Sequence, residues 1–239
     1  MLGLTPSAID AILLSVQVAV WCTLLVLPVA TFFAYVLARF EFPGKVLLDA
    51  AIHLPLVLPP VVTGYALLIL LGRNGVIGGF LADELGIVFA FRWTGAVIAS
   101  AVMALPLSVR AIRVALEGVD PLYERAAKSL GTNRLTVLLR VTLPLAMPGL
   151  VAGAIFAFAK SLGEFGATIT FVANIPGETQ TIPSAIYSLL QAPGGEAEAL
   201  ILSGIAGILA LLSLVAAELF VRYQRGRETR ALSQQRNRI

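Results

Sequence analysis

The sequence predicts an all-α polytopic membrane protein with five clear transmembrane helices, or six if a short re-entrant or extra segment is counted. Three observations carry that prediction. Hydrophobic residues make up 58% of the 239-residue chain and charged residues 13%, with a mean hydropathy of +0.91, which excludes an ordinary soluble domain. The apolar residues collect into stretches long enough to cross a bilayer, at about 9–38, 45–71, 93–109, 143–159 and 197–221, all within one transmembrane domain, 1–239. Finally, 14 of the 17 basic residues fall in segments that alternation of these spans puts on one side. They are Arg39 and Lys45, then Arg110, Arg113, Arg125, Lys128, Arg134 and Arg140, then Arg222, Arg225, Arg227, Arg230, Arg236 and Arg238. The positive-inside rule makes that side cytoplasmic, which leaves the N-terminus outside and the tail, 222–239, inside. The net charge of +3 follows from this distribution and does not point to nucleic acid.

Taken in order, the first span has no basic residue before it and no small-residue cleavage site after it, so it is expected to remain in the membrane. Cys22, the only cysteine, sits in this apolar run and reads as inert packing. The second span carries His53, Pro55, Pro59, Pro60, Thr63 and Gly64. Helix breakers at membrane depth need protein or a polar cavity to cover the freed backbone groups. Pro59, Pro60, Thr63 and Gly64 are therefore candidates for lining or gating a pathway, while His53 reads as a satisfied polar residue near the cytoplasmic interface. The glycine-rich loop from Gly72 to Arg92 has no strand before it and no Lys-Ser or Lys-Thr pair, so it is not a phosphate-binding loop. The third span begins at Trp93, suited to the outer interface.

After the fourth span comes KSLGEFGATIT, residues 160–170. Lys160 and Glu164 stand four apart and can pair on one helix, and Gly163 and Gly166 permit a break or a close approach. Ionisable groups at membrane depth are functional candidates. Ser161, Gly163, Glu164, Gly166 and Thr168 are accordingly assigned to a gate, with the hydroxyls of Ser161, Thr168 and Thr170 offered to an anion. An ion pair at the span's outer end is the plainer reading of the same residues. Ile182 to Leu190 is a helix too short to span.

The polar stretch 120–142 interrupts this pattern. Asp120-Pro121 is a helix start and Gly131 a helix stop, enclosing a short surface helix with Leu122, Ala126 and Leu130 on one stripe and Glu124, Arg125 and Lys128 largely off it. A second helix capped by Thr132 or Asn133 follows, and Pro144 and Pro148 bend it.

Ala126, Ala127 and Gly131, then nine residues, then Val141, Leu143 and Pro144, resemble the loop by which the permease subunits of binary ABC importers dock on their ATPase. That pattern reads EAA, three residues, G, nine residues, I, any residue, LP. Here Arg125 occupies the glutamate position with Glu124 one residue earlier, and Val141 replaces isoleucine. The resemblance assigns docking to Glu124, Arg125, Ala126, Ala127, Lys128, Leu130, Gly131, Leu143 and Pro144. KSLGEFGATITFVANIPGETQTIPSAIYSLLQAPGGEA and PLVLPPVVTGYALLILLGRNG extend it to the permeases of molybdate importers, with sulfate or thiosulfate importers as the alternative.

The resemblance implies a type I importer permease fold with a cytoplasmic coupling helix. It implies a homodimer in the cell's inner membrane with the pathway on its two-fold axis. Two cytoplasmic ATPase subunits would hold ATP and Mg, and an external binding protein would deliver molybdate or tungstate. In the residues themselves, no nucleotide-binding, nucleophile or metal-ligand motif is visible. The chain reads as a conduit without cofactor and not as an enzyme. A self-contained channel or ion-coupled carrier would be expected to hold more ionisable groups within its spans.

Overall fold

The computed structural model describes residues 4–236, with side chains described to Leu219 apart from Ala217. The arginine side chains of the tail therefore lie outside the described residues. Every regular element among the described residues is helical.

Helix α1, Pro6–Arg39, starts where Thr5 Oγ1 accepts a hydrogen bond from the Ala8 amide at 3.3 Å, with proline at its first position. Its 34 residues make a rod about 51 Å long at 1.5 Å per residue. One face is a stripe of small buried residues, Ala8, Ala11, Ser15, Ala19, Cys22, Val26, Ala30 and Ala34, and the other exposes Leu13, Trp21, Leu24 and Phe32. The small face lets neighbouring helices approach closely, and the large residues suit lipid.

Helices α2, Lys45–Val57, and α3, Pro60–Leu71, are separated by Leu58 and Pro59 and bend by 113°. Leu58 is extended because a residue before proline is pushed out of the helical region. The expected continuous second span is thus a broken helix pair. A short helix α4, Val76–Leu85, leads to α5, Trp93–Glu117, which runs eight residues past the expected end of the third span. Helix α5 is the centre of the bundle. Residues such as Ala96, Ala99, Ser100, Ala104, Val109 and Ile112 are fully buried.

Helix α6, Pro121–Ser129, and α7, Arg134–Val137, form the candidate docking stretch. A π turn, Leu138–Thr142, and one turn of α8, Leu143–Leu145, follow before α9, Met147–Leu162, with a 75° bend at Ala146. Pro144 has no N–H to return to the carbonyl of Arg140, which accounts for the widened turn ahead of it. The helix expected over 143–159 therefore starts at Met147. It crosses α5 at Gly149 and Gly153, where an added Cβ would lie 2.2 Å from Ala115 Cβ and 2.9 Å from Ile112 Cγ1. Ser108 Oγ donates to the Gly153 carbonyl at 2.8 Å across the same contact.

Helix α10, Gly166–Val172, packs on α3, and α11, Ile182–Gln191, packs on α1 and on α12, Glu196–Arg236. The main core joins α1, α5, α9 and α10. A smaller one, of Ala8, Ala11, Ile182, Ala185 and Leu202, closes the end of the bundle near Thr5. Among the described residues, three helices are long and apolar enough to cross a membrane, or up to five spans if each bent pair counts as one.

Candidate functional site

The docking stretch is built by local capping. Asp120 Oδ1 accepts from the Leu122 amide at 2.8 Å, and Asn133 Oδ1 accepts from the Thr136 amide at 2.7 Å, so each helix has its own start. Between them Gly131 sits at φ +80°, the left-handed conformation that ends a helix at little cost only for glycine. Thr132 Oγ1 donates to the Ala127 carbonyl and closes the turn.

The apolar stripe of α6 faces outward. Leu122 is 60% exposed, Tyr123 59% and Leu130 87%, with Ala126, Arg125 and Lys128 exposed beside them. The residue turned inward is Glu124. Its Oε1 lies 2.9 Å from Arg39 Nη2 and accepts from Thr142 Oγ1 at 3.0 Å. Arg39 Nη2 also donates to the Val119 carbonyl at 3.2 Å. An amphipathic helix ordinarily buries its apolar stripe, whereas α6 buries a carboxylate because a guanidinium waits for it and leaves the apolar stripe free for another surface. Val141 and Leu143 are half-buried and Pro144 is exposed. Sequence reasoning missed Arg39 and Thr142 as partners of Glu124. A lone arginine at the end of an apolar span was the available signal.

The two candidate gate stretches, distant in sequence, meet in space. Gly64 on α3 faces α10 so closely that an added Cβ would lie 2.5 Å from the Ala167 carbonyl oxygen and 2.9 Å from Thr170 Cβ. In return, Gly166 faces Pro60, with 2.8 Å to Pro60 Cβ. Pro59 is the cap residue ahead of α3, and Thr63 is buried with its hydroxyl unpartnered. Ser161 is buried in the last turn of α9, which Gly163 ends.

Glu164 lies just past that end and not on one continuous helix with Lys160, yet the two pair at 2.8 Å, Nζ to Oε2. Its other oxygen accepts from the Ala167 amide at 3.0 Å, so the 2% exposed carboxylate joins α9 to the first turn of α10. Of the hydroxyls expected to face an anion, Ser161 Oγ is buried without a partner, whereas those of Thr168 and Thr170 are bonded to the backbone. Thr168 Oγ1 donates to the Phe165 carbonyl at 2.9 Å and Thr170 Oγ1 to the Gly166 carbonyl at 2.8 Å, the back-bonding habit of threonine in helices. His53 Nδ1 lies 2.9 Å from the Asp49 carbonyl, a satisfied polar contact on α2.

A helical bundle with two broken helices and a short helix whose apolar stripe faces outward is a membrane permease fold built like those of type I ABC importers. Residues 26–227 match the model of the binding-protein-dependent transport system inner membrane component, and the chain belongs to that family. It is 56% identical over 227 residues to the molybdenum transport system permease protein ModB of Escherichia coli K12, covering 95% of this chain and 99% of that one. Identity to ModB of Haemophilus influenzae is 55% over 210 residues, 88% of this chain and 92% of that one. A sulfate transport system permease, CysT of Salmonella typhimurium, is 41% identical over 158 residues, 66% of this chain and 57% of its own. Among solved structures, a bacterial alginate ABC transporter in complex with its pentasaccharide-bound periplasmic protein superposes with a TM-score of 0.69 at 20% identity, over 94% of this chain and 80% of that one. That likeness concerns the fold.

Proposed function

We propose that this chain is the conduit of an ATP-driven importer that passes an oxyanion, molybdate or tungstate, from an external binding protein into the cytoplasm. The observation that carries the reading is the 56% identity to a molybdenum permease across nearly the full length of both chains, against a sulfate permease matched over two thirds of this one. In this reading the Arg39 end is cytoplasmic, as the positive-inside rule requires, and the Thr5 end is external. A second copy covers the exposed α3 stripe of Val61, Tyr65 and Ile69, with the pathway between the two. One ATPase subunit, carrying ATP and Mg, seats on each α6.

ATP binding draws the ATPases together and carries α6 with them. The bent helix after α7 passes the movement to α9, which is locked to α5 at Gly149 and Gly153. Lys160 is joined at the α9–α10 turn to Glu164, so its charge is already neutralised and this turn does not trap a dianion. Weak binding in the conduit suits release, with selectivity held by the binding protein.

Leu130, the most exposed apolar residue of the docking face, tests the assembly. A cytoplasmic ATPase is expected to copurify with the wild-type chain, and Leu130→Glu to reduce its recovery about tenfold, the effect of burying an unpaired charge in an interface. Undiminished recovery would remove α6 as the docking site, and uptake by the chain without any ATPase would overturn the proposal.

A further inference from the structure

Helix α1 is held at both ends by elements remote in sequence. At one end Arg39 binds the buried Glu124 of α6 and the Val119 carbonyl just before it. Both partners of the ion pair are largely covered, with side chains 14% and 11% exposed. At the other end Ser15 Oγ accepts from the Ile182 amide at 2.7 Å, and Glu198 Oε1 accepts from the Thr5 amide at 2.7 Å and from its hydroxyl at 2.6 Å. Between these ends the buried small-residue face of α1 packs along α5 and α9.

We infer that Arg39 is a positioning residue of the transport cycle: it fixes the docking helix to α1, so that α1 carries movement of α6 as a rigid rod to α11 and α12 at the opposite face. This rests on the proposed ATP-driven import and adds a second route to the one through the bent helix. The geometry favours a rigid joint. The guanidinium makes two contacts on either side of the α6 start, and Thr142 holds the same carboxylate from the far side of the docking stretch. The ion pair is largely shielded from water, and even with Arg39 Nε buried and without a partner its loss carries a high cost, so α1 and α6 move together. Glu124, which the docking pattern shifts by one position, is thereby the inward anchor of α6 while its neighbours meet the partner.

The test is the number of anions imported per ATP hydrolysed in proteoliposomes holding the full complex, with labelled molybdate as the probe. Arg39→Ala is expected to lower that ratio about threefold or more while the ATPase stays bound. Arg39→Ala/Glu124→Ala should be no worse than the more damaging single change, because both remove one joint. A wild-type ratio in Arg39→Ala, or losses that multiply in the double variant, would overturn the inference.

Should Arg39→Ala fail to fold, Arg39→Cys/Glu124→Cys in a Cys22→Ala background keeps the question open to measurement. Joining the two thiols with a short bismaleimide should raise the ratio above that of the unjoined pair, whereas arrest of transport on joining would show that the helices must separate. A wild-type complex without ATP-driven uptake would instead refute the proposed function, and wild-type uptake with normal coupling in both variants would refute the rod alone.

Discussion

Gly64→Val is expected to abolish uptake while leaving the protein in the membrane and the ATPase bound. The added Cβ would sit 2.5 Å from the Ala167 carbonyl oxygen and 2.9 Å from its Cα. Both are backbone atoms of α10, so no side chain can rotate away and α3 and α10 must part. Overpacking of this kind costs about 1–3 kcal/mol. Its larger consequence is geometric, because the same junction brings Gly166 against Pro60, directly after the α2–α3 break. The candidate docking helix α6 lies at the Arg39 end and packs chiefly on α7 and the π turn, so ATPase recovery should stay normal. Uptake assays and copurification on the same preparation check both halves. Normal uptake in Gly64→Val would show that this contact does not govern the pathway.

Glu164→Ala is expected to produce the largest loss of stability among the single changes considered. It strands Lys160 and removes the acceptor of the Ala167 amide in one step. One-sided removal of a buried ion pair costs about 3–5 kcal/mol, and the 29% exposure of the Lys160 side chain puts this case at the lower end. Glu164→Gln keeps an acceptor for the amide and should fall between the alanine variant and wild type. Lys160→Met/Glu164→Ala should recover part of the loss, since no unpaired ammonium is left. Thermal unfolding in detergent ranks the four proteins. Equal midpoints for wild type and Glu164→Ala would contradict the assigned role, as would uptake that is lost with no change in stability, since that would place Glu164 on the substrate.

What could be read in advance divides along the reach of the interaction. Asp120, Pro121, Gly131 and Asn133 mark the bounds of α6 and α7 because capping acts within three or four residues. The Lys160–Glu164 pair was legible for the same reason, although Gly163 ends the helix between them. Pro59 and Pro60 announced a break, but its 113° angle depends on what α3 packs against, chiefly α10. The backbone bonds of Thr168 and Thr170 were not anticipated, because hydroxyls three and four residues beyond a carbonyl can donate back to it.

The outward turn of the α6 stripe was beyond reach for a different reason. Amphipathicity tells which residues share a face, and only the tertiary partner tells which face is covered. Arg39 decides it here, from the end of the first span, remote in sequence from α6.

ATP-driven import of a molybdate-class oxyanion is measured as uptake of labelled molybdate into proteoliposomes. They would hold this chain with its cognate ATPase and binding protein, with excess tungstate or excess sulfate added separately. Uptake that requires ATP, is competed by tungstate and is indifferent to sulfate is the predicted result. Competition by sulfate as strong as that by tungstate would move the substrate to the sulfate class, and uptake without ATP would contradict the account at its root.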